Sequence, residues 1–153
     1  WVDIGSSFLP SDIIAAFLFA QLENLDDIQN KRIYLWKYYF EKLKPLADLK
    51  FFKFPELPEY ATNNAHMFYI ECRSLDERNK LIAYLKSNGV YAVFHYLSLH
   101  KSPYYKNKHT GGEMKNSDKY TDCLLRLPMY YELSDEDLEY IIYFINKFYK
   151  ELV

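Results

Sequence analysis

Residues 67–94 read MFYIECRSLDERNKLIAYLKSNGVYAVF. The first six are apolar or aromatic apart from Glu71, and they predict a central strand. Ser74-Leu75-Asp76-Glu77 follows as a capping box, with Ser74 at the N-cap and Glu77 three residues on. The helix it starts turns Leu81, Ile82 and Leu85 inward and ends at Gly89, a residue suited to the left-handed position after a helix. Residues 90–94, rich in β-branched and aromatic side chains, predict a second, buried strand. A strand, a capped helix and a strand with tight punctuation form the middle of a small sheet with helices on one face.

Downstream, HYLSLHKSPYY (residues 95–105) places two imidazoles, His95 and His100, in a loop closed by Pro103. Titratable rings at the mouth of a strand suit ligand binding. The plainer reading has one ring capping the strand end and the other in water. Residues 101–119 are polar, lysine-rich and contain Gly111 and Gly112, which predicts an exposed loop. Residues 117–123 predict one or two helical turns, and LLRL (residues 124–127) predicts a short strand cut off by Pro128. Ser134 caps the last helix, with Asp135, Glu136 and Asp137 in its first turn and a buried stripe of Leu138, Ile141, Ile142, Ile145 and Phe148.

Upstream, FFKF (residues 51–54) predicts an edge strand, and Pro55 and Pro58 enforce an extended connection through Asn64. His66 stands at the entry to the central strand, where a histidine is usually structural. Before these come two helices. Asn24 is placed to cap the longer one, whose stripe is Leu25, Ile28, Arg32, Leu35, Trp36, Tyr39, Phe40 and Leu43, with Arg32 its one polar member and Pro45 its expected stop. The earlier helix, capped by Ser11, reads IIAAFLFAQL over residues 13–22 and is apolar nearly all round. It therefore needs a covering body, another domain or another subunit. Gly5-Ser6-Ser7 precedes it, and free backbone N–H groups before a helix suit an anion, although an ordinary capped loop looks the same.

The fold class expected is α+β: a small, mainly antiparallel sheet of three to four strands covered by helices, preceded by long N-terminal helices. Residues 1–44 read as connector and interface helices, and residues 45–153 as the α+β domain. With 153 residues, half hydrophobic and 19% aromatic, the chain can bury a real core. The formal charge of −2 gives no sign of a nucleic-acid binder. Two cysteines, Cys72 and Cys123, fit a reducing, cytoplasmic compartment, lack metal-ligand spacing and leave a disulfide open. No apolar run reaches membrane-span length, and no signal peptide, repeat, phosphate loop or nucleophile elbow is visible. The sequence opens on Trp1 rather than Met, as a piece of a longer protein would.

Four segments in register carry a resemblance: WVDIGSSFLPSDIIAAFLFAQ (residues 1–21), NAHMFYI (64–70), VFHYLSLH (93–100) and LLRLPMYY (124–131). Together they resemble the C-terminal portion of the DegT-type nucleotide-sugar aminotransferases, which use pyridoxal 5′-phosphate (PLP). The resemblance implies a dimeric enzyme that moves an amino group from glutamate onto a dTDP-4-keto-6-deoxy sugar for cell-surface polysaccharide. It also implies that the Schiff-base lysine and the carboxylate facing the pyridine nitrogen lie upstream of Trp1, so that this stretch alone is inactive. Family members often carry Gly-Tyr-Asn-Tyr-Arg before the first small-domain helix, and the Asn reaches the PLP phosphate of the neighbouring subunit. Here Gly5 matches the Gly, Ser7 falls at the Asn and Leu9 at the Arg. The resemblance thus implies Ser7, with Ser6, as phosphate contacts, and His66, His95 and Tyr96 as substrate contacts in the cleft between domains. Two other classes stay open on the residues alone: a stand-alone α+β ligand-binding module and a dimerisation module.

Overall fold

The computed structural model describes residues 9–151. In order, the elements are α1 (Asp12–Glu23), α2 (Leu25–Asp48), β1 (Phe52–Lys53), β2 (Phe68–Cys72), α3 (Leu75–Ser87), β3 (Val93–Phe94), α4 (Lys115–Cys123), β4 (Leu124–Leu127) and α5 (Asp135–Lys150). The four strands form one antiparallel sheet in the order β1-β2-β4-β3. The expected α+β class, the antiparallel sheet and the edge place of residues 51–54 hold, although pairing at that edge is confined to Phe52 and Lys53.

Strand alternation divides the sheet into two unlike faces. Phe52, Phe68, Ile70, Cys72, Leu125 and Leu127 are buried in one core with Leu35, Tyr39 and Leu43 of α2, Leu81 and Leu85 of α3, and Leu138, Ile142 and Ile145 of α5. Phe68 sits at its centre, with ring centroids 5.4 Å from Trp36, 5.0 Å from Tyr39 and 5.8 Å from Phe54. Such pairs contribute about 0.5–1.5 kcal/mol each beyond their buried area. The opposite face carries Lys53, Tyr69, Glu71, Val93 and Arg126, and it remains partly open.

Several local expectations are corrected. Residues 90–94 do not form a buried strand. Val90 and Ala92 are buried, but the Ala92 N–H donates to the Val90 carbonyl (3.2 Å) in a tight turn. Pairing therefore starts only at Val93, on an edge where both strand residues stay half exposed. Pro45 does not stop α2, which continues to Asp48. Proline removes one N–H, yet burial of Leu43 and Leu46 on either side carries the helix one turn further. Asn24 occupies the cap position of α2, but its side-chain amide donates back to the Ala20 carbonyl (2.9 Å) instead of capping.

The capping box at α3 is half formed. Ser74 Oγ accepts from the Glu77 N–H (3.2 Å), while the Glu77 carboxylate is buried and turns to Arg73 Nε (2.6 Å) and the Tyr149 hydroxyl (2.9 Å). The complete box lies at α5, between Ser134 and Asp137. In the α5 stripe Tyr149 is fully buried and Phe148 only partly so. Part of the expected 101–119 loop is helical, because α4 begins at Lys115. Cys72 and Cys123 are free thiols. Burial, with the Glu77 carboxylate nearby, pushes Cys72 up to about 12, which leaves it unreactive.

None of the residues of α1 is buried, and Ile13, Phe17 and Phe19 are more than half exposed. Leaving three such side chains in water forfeits about 1.5–3 kcal/mol apiece. The chain on its own should therefore self-associate through α1. Sedimentation should show oligomers that Phe17→Asp dissolves, and a monomer at high concentration would contradict this.

α2 ends in a Schellman motif, with Phe51 N–H on the Leu46 carbonyl (3.2 Å) and Lys50 N–H on the Ala47 carbonyl (2.8 Å). Lys50 takes the left-handed position, φ 63°, that glycine normally fills. Lys50→Gly should raise stability by about 0.5–1 kcal/mol in denaturant titration, the steric relief exceeding the added chain entropy.

Candidate functional site

The connection before β2 is held by a dense set of polar contacts. Gln29 of α2 donates to the Asn64 carbonyl (2.6 Å), and Arg32 donates from Nε to the Ala65 carbonyl (3.1 Å) and from Nη2 to the His66 carbonyl. Asn63 Oδ1 accepts from the Ala65 N–H (2.8 Å), and Asn64 Oδ1 accepts from the His66 N–H (3.3 Å). Ala65 is fully buried at φ 50°, a left-handed conformation that an alanine adopts only when its surroundings impose it. The outcome is a fixed, exposed His66 whose Nδ1 lies 3.0 Å from Asn64 Oδ1. With Nδ1–H donating there, Nε2 is left as an acceptor.

His95 leaves the end of β3 and approaches the same open face. Its ring packs edge-on to Tyr96 at 4.6 Å, and Tyr96 itself is exposed. Burial holds the His95 imidazole below its ordinary value, and the Arg126 guanidinium and His66 push the same way. Arg126 stands in the middle of β4, paired with Tyr69 on one side and Val93 on the other. His66, His95 and Tyr96, expected as substrate contacts, thus border a face that also presents Arg126 and Tyr69.

A cavity of about 210 Å³ opens beside His95 and Tyr96, lined further by Ser98, Ser117, Tyr120 and Thr121. Ser98 Oγ and Thr121 Oγ1 are 2.7 Å apart, and Ser117 Oγ donates to Ser98 Oγ (3.1 Å). Hydroxyls and aromatic edges of this kind can hold a polar, ring-sized ligand. At the far end of the face, Lys119 neutralises Glu71 (2.7 Å). His100 belongs elsewhere: its Nε2 faces Asp118 Oδ1 (3.1 Å), which Lys101 also contacts (2.9 Å), and its ring lies 5.3 Å from His109. Lys101, then burial and Ser98, act on the Asp118 carboxyl, and the net direction is below its usual value.

Arg126 and Tyr69 were not among the site residues expected from the sequence. A signal was available, since Arg126 is the one polar residue in LLRL and alternation places it opposite the core side chains. Ser6 and Ser7 lie outside the described residues.

A family model, the DegT/DnrJ/EryC1/StrS aminotransferase family, matches residues 2–146. The chain belongs to this family. An aminotransferase of the family from Brucella abortus is 31% identical, with 88% of this chain and 34% of that one covered and a TM-score of 0.73. The aminotransferase TlmJ from Streptoalloteichus hindustanus is 22% identical over 99% of this chain and 40% of that one, with a TM-score of 0.84. Spr1654 from Streptococcus pneumoniae, assigned as a sugar aminotransferase and solved in a PLP form, is 24% identical over 93% and 36% of the two chains, with a TM-score of 0.74. The chain therefore spans between 34% and 40% of the length of these proteins. No described helix is long and apolar enough to cross a membrane.

The folded pKa of His95 lies below its unfolded value of about 6.5, so the unfolded chain binds the proton more readily. The stability His95 contributes is present above that unfolded value and is lost as pH falls through the folded one. NMR titration should place His95 below an ordinary histidine, and Arg126→Gln should move it upward. A normal or raised His95 in the unsubstituted chain would contradict the arrangement.

Proposed function

We propose that this chain is the C-terminal domain of a PLP-dependent aminotransferase that moves an amino group from glutamate onto a dTDP-4-keto-6-deoxy sugar. Within the family, the IGSSFLPSD and NAHMFYI segments favour the subgroup of dTDP-4-amino-4,6-dideoxygalactose transaminase. The observation that carries the reading is a family match over residues 2–146 in a chain whose open sheet face gathers His66, His95 and Arg126. A guanidinium and two imidazoles fit an anionic cofactor or substrate group.

When bound, PLP supplies the electron sink that amino-group transfer needs. The residues of this chain would bind and orient. His66, fixed by Arg32 and Asn64, offers a ring nitrogen to a sugar hydroxyl. His95, held neutral, offers a second such contact, and Tyr96 covers the sugar edge. Ser6 and Ser7 donate to the PLP phosphate of the neighbouring subunit. α1 packs on the large PLP-binding domain or on the second copy of a homodimer, and residues 1–44 and 45–153 act as interface and cleft wall respectively.

The full-length protein, given PLP, glutamate and a dTDP-4-keto-6-deoxy sugar, should release 2-oxoglutarate and the dTDP-amino sugar, both detectable by mass spectrometry. The 153-residue chain alone should retain no PLP after borohydride treatment. PLP fixed to a lysine of this chain, or a full-length protein that transfers only to non-sugar acceptors, would overturn the reading.

A further inference from the structure

The pairing of β2 with β4 ends where Glu71 meets Leu124. One step further in the same register, Cys72 faces Cys123, the last residue of α4. Alternation puts both thiols on the dry side of the sheet, Cys72 in line with Phe68 and Ile70, and Cys123 in line with Leu125 and Leu127. Residues facing each other across antiparallel strands stand about 4.5–5.5 Å apart at Cα, within the span of about 4.4–6.8 Å that a disulfide bridges. After burial and Glu77, Cys123 is itself among the groups that raise the Cys72 pKa. Both cysteines also line one cavity of about 640 Å³, at the end of β2 remote from His66. Four cations, Lys50, Lys53, Arg73 and Lys119, line it against one carboxylate, Glu71. Lys119 is held by Glu71 (2.7 Å) and Arg73 by Glu77 (2.6 Å), but Lys50 and Lys53 pair with no described Asp or Glu. The cavity that reaches the two thiols is therefore cationic.

We propose that Cys72 and Cys123 are an oxidisable pair, and that an anionic low-molecular-weight disulfide entering the cationic cavity leaves them joined by a disulfide. Cys123 is the more open of the two, 8% exposed against 2% for Cys72, so it meets the reagent first. Its thiolate attacks one sulfur of the small disulfide RSSR. The Cys123 S–SR bond forms, the S–S bond of the reagent breaks, and the departing thiolate takes the Cys123 proton as RSH. Cys72 then attacks Cys123 Sγ and expels the second RS⁻, which leaves with the Cys72 proton. Two protein thiols are oxidised and one small disulfide is reduced to two thiols. Cys72 is unreactive toward a dissolved oxidant, but its own step is intramolecular, where position replaces concentration. The bond ties β2 to β4, the two strands whose register separates the dry face of the sheet from the wet one.

The test treats the folded full-length protein with glutathione disulfide, an anion, or with cystamine, a cationic disulfide. Remaining thiols are blocked with iodoacetamide, and the digest is read by mass spectrometry. Glutathione disulfide should yield the Cys72 peptide joined to the Cys123 peptide, and dithiothreitol should separate them. With each rate divided by that of the urea-denatured protein, glutathione disulfide should outpace cystamine about 10-fold at low salt, and Lys53→Glu should narrow the gap. Cys72→Ser should leave a stable glutathione on Cys123, and Cys123→Ser should leave Cys72 unmodified. Two blocked thiols and no joined peptide after long exposure would overturn the proposal, as would glutathione held on Cys123 beside a free Cys72 in the unsubstituted protein. Cystamine reacting as fast as glutathione disulfide would overturn the anion assignment. If either serine variant fails to fold in a thermal melt, the joined peptide of the unsubstituted protein carries the decision.

Discussion

The pairing of β2 with β4 is the constraint on which the rest depends. Its register sets Phe68 against Leu127, Tyr69 against Arg126 and Ile70 against Leu125. Because strand side chains alternate, a one-residue slip of β4 would bring Arg126 into the aromatic core and expel Leu125, and a slip of β2 would do the same with Glu71 and Ile70. The slip would forfeit several buried side chains, about 1.5–3 kcal/mol each, and add an unpaired buried cation. Dry and wet faces are therefore fixed by one register. Everything proposed for the wet face, from Tyr69 to His95, inherits its position from Phe68 and Ile70 on the dry one.

Arg32 extends that control to the loop before β2. A polar residue on the inner stripe of a helix costs packing unless its hydrogen bonds are used, and here two successive carbonyls, of Ala65 and His66, use them. The left-handed Ala65 is tolerable for the same reason. Its own N–H is held by Asn63, and its carbonyl by Arg32, so relaxing φ would break bonds on both sides. Strain of about 1–3 kcal/mol persists only where the surroundings over-determine it. The consequence is an exposed imidazole with little freedom, which is what a substrate contact requires and a solvated loop histidine does not.

Much of the fold was legible because its signals were local. Ser74, Gly89 and Ser134 mark helix ends by hydrogen-bonding chemistry that acts within a few residues, and the structure uses all three. What misled was tertiary. Pro45 is a stop by local rules, but Leu46 gains burial by continuing. Residues 90–94 have strand composition, but the turn at Val90 and an edge position leave Val93 and Phe94 the only paired residues. Glu77 reads as a capping partner until Tyr149, 72 positions away, claims its carboxylate. For the site, His66, His95 and Tyr96 were expected through resemblance, and the structure sets them around one open sheet face. Arg126 was not, because its setting depends on two strands far apart in sequence and on the Glu71 carboxylate of its face being held by Lys119.

The exposed helix α1 and the open sheet face are incomplete in different ways, and the difference bears on what completes each. Between Asp12 and Glu23 at its two ends, the exposed side chains of α1 are nearly all apolar, including Ile13, Phe17 and Phe19, and carry no charge for a small ligand to meet. Only a large apolar surface recovers their burial energy, and such a surface, once joined, has no reason to leave at ordinary concentrations. The sheet face is the opposite: an unpaired guanidinium, imidazoles and hydroxyls, each satisfied by a few hydrogen bonds worth about 1–3 kcal/mol. Interactions of that size bind and release. Under the proposed function, a permanent apolar junction would hold the domain in the enzyme while a reversible polar face meets the substrate at each turnover.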